Sequence, residues 1–275
     1  ASGAAALDEA TSVLPSHLSN EGWFADVPPA FIRLLQADSL RSFVTGDLRS
    51  LLAGSPHGTK EAPAGELRLY TSPDLQIRAR IVFPNAPAAR SVTTLARRTL
   101  LGNAGRSAFT VQSWRSPESA ANDVFDPAAR LERAVDVRLE PGEAMALHAG
   151  TDAYHVVAAD RPAVALTAAG PPAVPLAWHY DLATLRPVQA KPARKEWLLL
   201  RELITFAGMI GDRSLLPALA GLTVHPSHFI RWAAAKTAHG ISPEDGRAIL
   251  RTLSDDPHPQ VRSTARQLLT SGEPR

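Results

Sequence analysis

The spacing of the apolar residues changes period twice along this chain, and one pattern cannot bury both a helical stripe and a strand face. After Pro28 and Pro29, residues Phe31, Ile32, Leu34, Leu35, Leu40, Phe43, Val44, Leu48, Leu51 and Leu52 recur at intervals near three and four. That spacing predicts a helix or a helix pair. The prolines suit its first turn, where a missing N–H costs no helical hydrogen bond. Gly54-Ser55-Pro56 ends the segment, and residues 57–60 read as a linker. Residues 1–20, rich in Ala and Ser, are expected to be loosely ordered.

From Glu66 the period falls to two. Residues 66–70, 76–83, 107–114, 134–139 and 163–167 alternate polar and apolar side chains, and 176–180 and 185–189 are two further candidates. Alternation means strands with one buried face. Gly102-Asn103, Pro141-Gly142, Gly150-Thr151 and Asp160-Arg161-Pro162 supply turns. Many short strands between turns suggest a sandwich or a barrel. Ile77, Ala79 and Ile81 share one face, so Arg78 and Arg80 are expected on the outer, solvated face. The alternative is functional. Arg78, Arg80, Arg97, Arg98 and Arg106 could line a pocket for a carboxylate or phosphate, which guanidinium groups bind bidentately.

Beyond residue 194 the helical period returns, now with an internal repeat. A shift of 31 residues lays Leu219, Leu222, Pro226, Ile230, Arg231 and Ala234 on Leu250, Leu253, Pro257, Val261, Arg262 and Ala265. The proline separates two helices of a pair, the aliphatic residues form the inner face, and the alanine lets helices approach. Residues 255–262 with Ala265 resemble the turn and second helix of HEAT repeats. Trp197, Leu198, Leu200, Leu203, Ile204 and Phe206 suit a preceding half-repeat. Trp232 is expected to pack in the core, and His225 and His228, three apart at a repeat turn, to be exposed.

Composition narrows the chemistry. Of 275 residues, 45% are hydrophobic and 20% charged, a globular balance. The absence of cysteine removes disulfides, thiolate nucleophiles and Cys-ligated metals. A net charge of +2 carries no nucleic-acid signature. No apolar run approaches the roughly 18 residues that span a bilayer, and no signal peptide is read at the Ala-rich start. A cytoplasmic location is the expectation. No phosphate-binding loop, His-Glu-x-x-His or Gly-x-Ser-x-Gly motif occurs.

Residues 139–157 carry the remaining signal: Gly142, a hydrophobic strand, Gly150, and then His155 entering the next strand. This resembles the second motif of cupins. The resemblance implies a cupin-like antiparallel β-barrel over 58–192, and with the helical readings it makes an α+β chain: N-terminal helices over residues 1–57, that barrel, and HEAT-like repeats over 193–275. It also implies a histidine at a barrel mouth, able to hold a divalent transition metal such as Fe(II) through a ring nitrogen. His148 and His155 are the best pair, and His179 is the candidate third ligand, with Asp181 and Asp152 as substitutes. The chain departs from the cupin pattern where the first motif should lie. Residues 87–114 contain no histidine and no acidic residue. Arg97, Arg106 and Tyr154 are the candidate ligand-binding residues. Two functions follow. One is a cupin-like small-ligand-binding or scaffold protein with a helical-repeat tail, whose partner is a protein or a second copy of the chain. The other is a metal-dependent cupin-type oxygenase or isomerase acting on a small molecule or peptide. Neither nucleic acid nor membrane is expected as a partner.

Overall fold

A computed structural model describes residues 3–19, 27–38, 40, 66–84, 86–117, 123–158 and 160–271. The apolar positions Phe43, Val44, Leu48, Leu51 and Leu52, the 57–60 linker and the boundary between 57 and 58 lie outside them. The chain divides into two compact units, residues 1–191 and 192–275.

The first unit opens with helix α1 (Gly3–Ser19) and helix α2 (Pro29–Gln36). The Ala/Ser-rich start is therefore helical rather than loose. Ala6, Ala10, Leu14 and Leu18 recur every four residues and are buried. That stripe has something to cover, which propensity alone does not reveal. It packs with Phe31, Leu34 and Leu35 of α2 onto Ile77, Ala79, Leu100, Leu166 and Ala168 of a sheet. Gly102 permits this approach. A Cβ there would lie 2.4 Å from Leu35 Cδ1.

Among the described residues, twelve strands follow: β1 (Glu66–Thr71), β2 (Gln76–Val82), β3 (Ser91–Thr93), β4 (Arg97–Asn103), β5 (Phe109–Arg115), β6 (Glu132–Arg133), β7 (Val137–Leu139), β8 (Ala144–Leu147), β9 (Asp152–Ala158), β10 (Ala163–Pro172), β11 (Leu176–Asp181) and β12 (Pro187–Pro192). One sheet has the order β1-β2-β10-β4-β8. The other strands form β12-β11-β3 and β6-β5-β7, with β9 on the free side of β5. A bridge between Thr94 and Ala153 joins β3 to β9. The pairings along the β1-β2-β10-β4-β8 sheet, of β3 with β11, and of β6, β7 and β9 with β5 are antiparallel. Gly102 and Asn103, expected as a hairpin turn, instead complete β4, opposite Leu166 and Ala165 of β10. Gly142 and Gly150 take φ values of +88° and +82°, the turn conformations that the β8 flanks require.

Between the layers lies a second core of Val82, Leu101, Phe109, Val111, Leu139, Leu147, Val156 and Ala158. The five-stranded sheet is thus covered on both faces. Arg78 and Arg80 keep the solvent contact expected of them, with Arg80 exposed and the Arg78 side chain 40% exposed, although their face is not the outer one. Their face, shared with Val82, turns toward the other layer, because α1 and α2 cover the Ile77–Ala79 face. Arg78 Nη1 donates to Glu66 at 3.1 Å and its Nη2 to Gln76 at 2.7 Å.

The second unit contains α3 (Lys195–Ile210), α4 (Leu216–Gly221), α5 (His228–Ile241), α6 (Pro243–Leu253) and α7 (Pro259–Ser271). The repeat extends to hydrogen bonds. Arg231 Nη1 donates to the carbonyls of His225 and Pro226 at 2.8 and 3.1 Å. Arg262 Nη1 donates to those of Asp256 and Pro257 at 2.5 and 3.2 Å. In both copies one arginine holds the turn that precedes its own helix. Leu219, Ile230, Ala234, Leu250, Leu253, Val261 and Ala265 are buried. Leu222 and Trp232 pack against them while partly exposed.

Candidate functional site

The strand pairing decides where the candidate histidines point. On β9, Tyr154, Val156 and Ala158 join the core between the layers. His155, of opposite parity, therefore faces away from it. It stands directly across from Gln112 of β5. Two places along, Trp114 pairs with Ala153 of β9 and Arg133 of β6.

These residues form the floor of a groove of about 520 Å³. Its walls come from two connections. Phe83, Pro84, Ala86, Ala88 and Ala89 lead from β2 toward β3, and Leu182 and Leu185 belong to the turn between β11 and β12. The Arg133 guanidinium carbon lies 4.8 Å from the centre of the Trp114 ring, and its Nη2 donates to both Asp136 oxygens at 2.8 and 3.0 Å. His155 is half-buried. Burial, then the positive charge of Arg80, pushes its imidazole below the ordinary histidine range. It is neutral at pH 7, with one ring nitrogen to donate and one to accept. A mostly apolar groove with an amide, a neutral imidazole and a guanidinium can hold a small organic molecule by its faces and one polar edge.

The other candidates lie apart from the groove. His148 is exposed in the turn after β8, and its backbone N–H donates to Asp152 Oδ2 at 2.8 Å. Asp152 is buried and also accepts from Thr151 Oγ1 at 3.3 Å, so its carboxylate serves the Gly150 turn. His179 Nδ1 lies 2.9 Å from Thr93 Oγ1. Asp181 accepts from the N–H and hydroxyl of Thr184 at 2.8 and 3.1 Å. The expectation that His148 and His155 converge on the barrel mouth is corrected by strand parity. Among the described residues, no three His, Asp or Glu side chains form a group that could hold a metal ion.

Of the candidate ligand-binding residues, Arg97 Nη1 donates to the Gly170 carbonyl at 2.7 Å, bracing β4 on β10. Arg106 is exposed in the turn after β4. Tyr154 packs in the core, and burial raises its hydroxyl above the ordinary tyrosine range, against the pull of Arg80. Sequence reading thus reached His155 and missed Gln112, Trp114 and Arg133. Gln112 and Trp114 carry a usable signal, since they share a parity on a strand whose other face is apolar.

A family model of HEAT repeats matches residues 193–270. Among solved structures, the β region is similar to a hydroquinone 1,2-dioxygenase from Sphingomonas sp. TTNP3, with 16% identity over 42% of this chain and 70% of that one, at a TM-score of 0.29. It is also similar to KdgF from Halomonas sp., with 15% identity over 42% and 88% of the two chains and a TM-score of 0.29. A cupin-family protein with a double-stranded β-helix fold from Methanocaldococcus jannaschii gives 8% identity over 42% and 87%, at 0.28. No curated protein matches the chain in sequence. Among the described residues, no helix is long and apolar enough to cross a membrane. The chain joins an antiparallel β region to a C-terminal helical region that the HEAT-repeat model matches.

Proposed function

We propose that this chain is a small-ligand-binding protein, with the ligand held in the β5–β9 groove and the HEAT repeats serving as an interaction tail. The observation that carries the reading is the cross-strand pair of Gln112 and His155 on the floor of an apolar groove of about 520 Å³. That volume suits a small organic molecule. The paired amide and imidazole present donors and acceptors side by side, while Phe83, Leu182 and Leu185 supply apolar contact. The fitting ligand is a compact, largely apolar ring with one hydrogen-bonding edge. An apolar core lies between the layers, and the ligand reading rests on the outer groove.

Isothermal titration with benzamide, indole and benzoate tests this. Saturable binding of at least one probe is expected, weakened tenfold or more by Gln112→Ala and His155→Ala. Absence of saturable heat with all three probes, or affinity unchanged in both variants, would sink the reading. Because His155 titrates below the ordinary range, affinity for a neutral probe is expected to stay level from pH 8 to 7.

A further inference from the structure

We propose that the chain self-associates through α3, with the same helix of a second copy as the occupant. The proposal deepens the reading of the repeats as an interaction tail and is independent of the groove. Helical-repeat arrays need terminal helices with a polar outer face. Helix α7 meets that need. Its outward residues include Ser263, Arg266, Gln267 and Thr270, and no large apolar side chain described on it is exposed. Helix α3, which opens the array, does not. Leu199, Leu203 and Ile210 are 64%, 64% and 56% exposed, Phe206 and Met209 59% and 79%, and Leu198 40%. Only Ile204 is buried on this helix. These six side chains fall on one side of α3, opposite the approach to α5, where Gly208 lets Thr237 come close.

Three observations favour a second copy. First, the area suffices. At roughly 150–200 Å² per large apolar side chain, the patch offers on the order of 600 Å² per copy, near the ~800 Å² per partner of a stable interface. It stands at the upper limit of what monomers leave exposed. Second, head-to-tail stacking of α3 on α7 is disfavoured, because α7 is polar outside. A closed twofold α3–α3 contact covers the patch and leaves no free end. Third, the spacing of Leu199, Leu203, Phe206 and Ile210 by four, three and four is the seam that two antiparallel helices interlock. Glu202, on the same side, is engaged by Arg201 at 2.9 Å.

Size-exclusion chromatography with light scattering on the full chain, at micromolar concentration, is expected to give twice the chain mass. Leu203→Glu and Phe206→Glu are expected to give the chain mass with unchanged circular dichroism, since both positions are exposed. The absence of native cysteine permits a second measurement. Leu203→Cys should oxidise to a covalent dimer, and Ser263→Cys should not. A monomeric wild type, a dimer that survives both glutamate variants, or equal crosslinking at positions 203 and 263 would overturn the proposal. Benzamide, indole and benzoate titrated into the Leu203→Glu chain report on the groove separately, so failure of one reading is not failure of the other.

Discussion

Arg231 and Asp256 face each other across the turn between the two repeats in a doubly hydrogen-bonded pair, Nε to Oδ2 at 2.7 Å and Nη2 to Oδ1 at 2.6 Å. Their side chains are 8% and 1% exposed. Burial works against the Asp256 carboxylate. The Arg231 bonds and the N–H of His258 overcome it and hold the group below the ordinary range. Removing one partner strands the other charge. Asp256→Ala is expected to cost about 3–5 kcal/mol, read as a lowered urea midpoint. The double variant Arg231→Met, Asp256→Leu should lose less than Asp256→Ala alone, since neither charge is then left buried.

Acid should weaken the repeat unit before it reaches the carboxylates. His228 stacks on His258 with ring centres 3.8 Å apart and planes within 5°. Burial first, then the charges of His258 and Arg231, lower the His228 pKa to about 4, while Asp256 opposes them. The unfolded chain binds this proton near pH 6.5 and the folded chain near 4. Stability from this group is therefore complete above about 6.5, declines as pH falls toward 4, and changes no further below it. Between pH 7 and pH 5 the loss is on the order of 2 kcal/mol. Urea unfolding at pH 7 and pH 5 should show it, and His228→Gln should flatten the difference.

Gly246→Ala should destabilise, against the usual helical preference for alanine of about 1 kcal/mol. A Cβ at Gly246 of α6 would lie 2.2 Å from the Cα of His239 and 2.6 Å from its backbone nitrogen. Backbone cannot rotate aside as a side-chain tip can, so the helices must separate. A melting temperature equal to or above the wild type would show that the α5–α6 contact tolerates a methyl group there.

Ala234→Glu tests the repeat register. Ala234 is fully buried among Ile230, Ala238, Leu250 and Leu253. A carboxylate there has neither room nor a partner, and a loss of several kcal/mol is expected. An unchanged thermal transition would contradict the register.

Much of the architecture was readable before any coordinates. The 31-residue shift laid Arg231 on Arg262, and both arginines grip equivalent carbonyls. That match follows because a repeat is local: each turn is held by residues five and six positions away. Period-two runs marked β1, β2, β5, β7, β10, β11 and β12, with ends displaced by a few residues. Two readings turned on one shared factor. The Ala-rich start and the Arg78–Arg80 face each depend on what lies against them. Ala6, Ala10, Leu14 and Leu18 become a buried stripe only because a sheet meets it, and that same covering sets the Arg78 and Arg80 face on the side of the other layer, where both stay in contact with solvent.

The candidate site divides the same way. The order of apolar and polar residues by itself determined that a β region stands between helical ends, that the tail repeats, and that His155 enters a strand after the Gly150 turn. Pattern along a strand states which residues share a face but not which face is inside. Only the tertiary structure decided that Tyr154 and Val156 go to the core and His155 to the outer groove. The pairing of β9 with β5 brings Gln112 opposite His155 across 43 positions of chain. Connections from 83–89 and 182–185 then close the walls. Such contacts depend on strand register and layer packing, which are global outcomes of burying apolar surface.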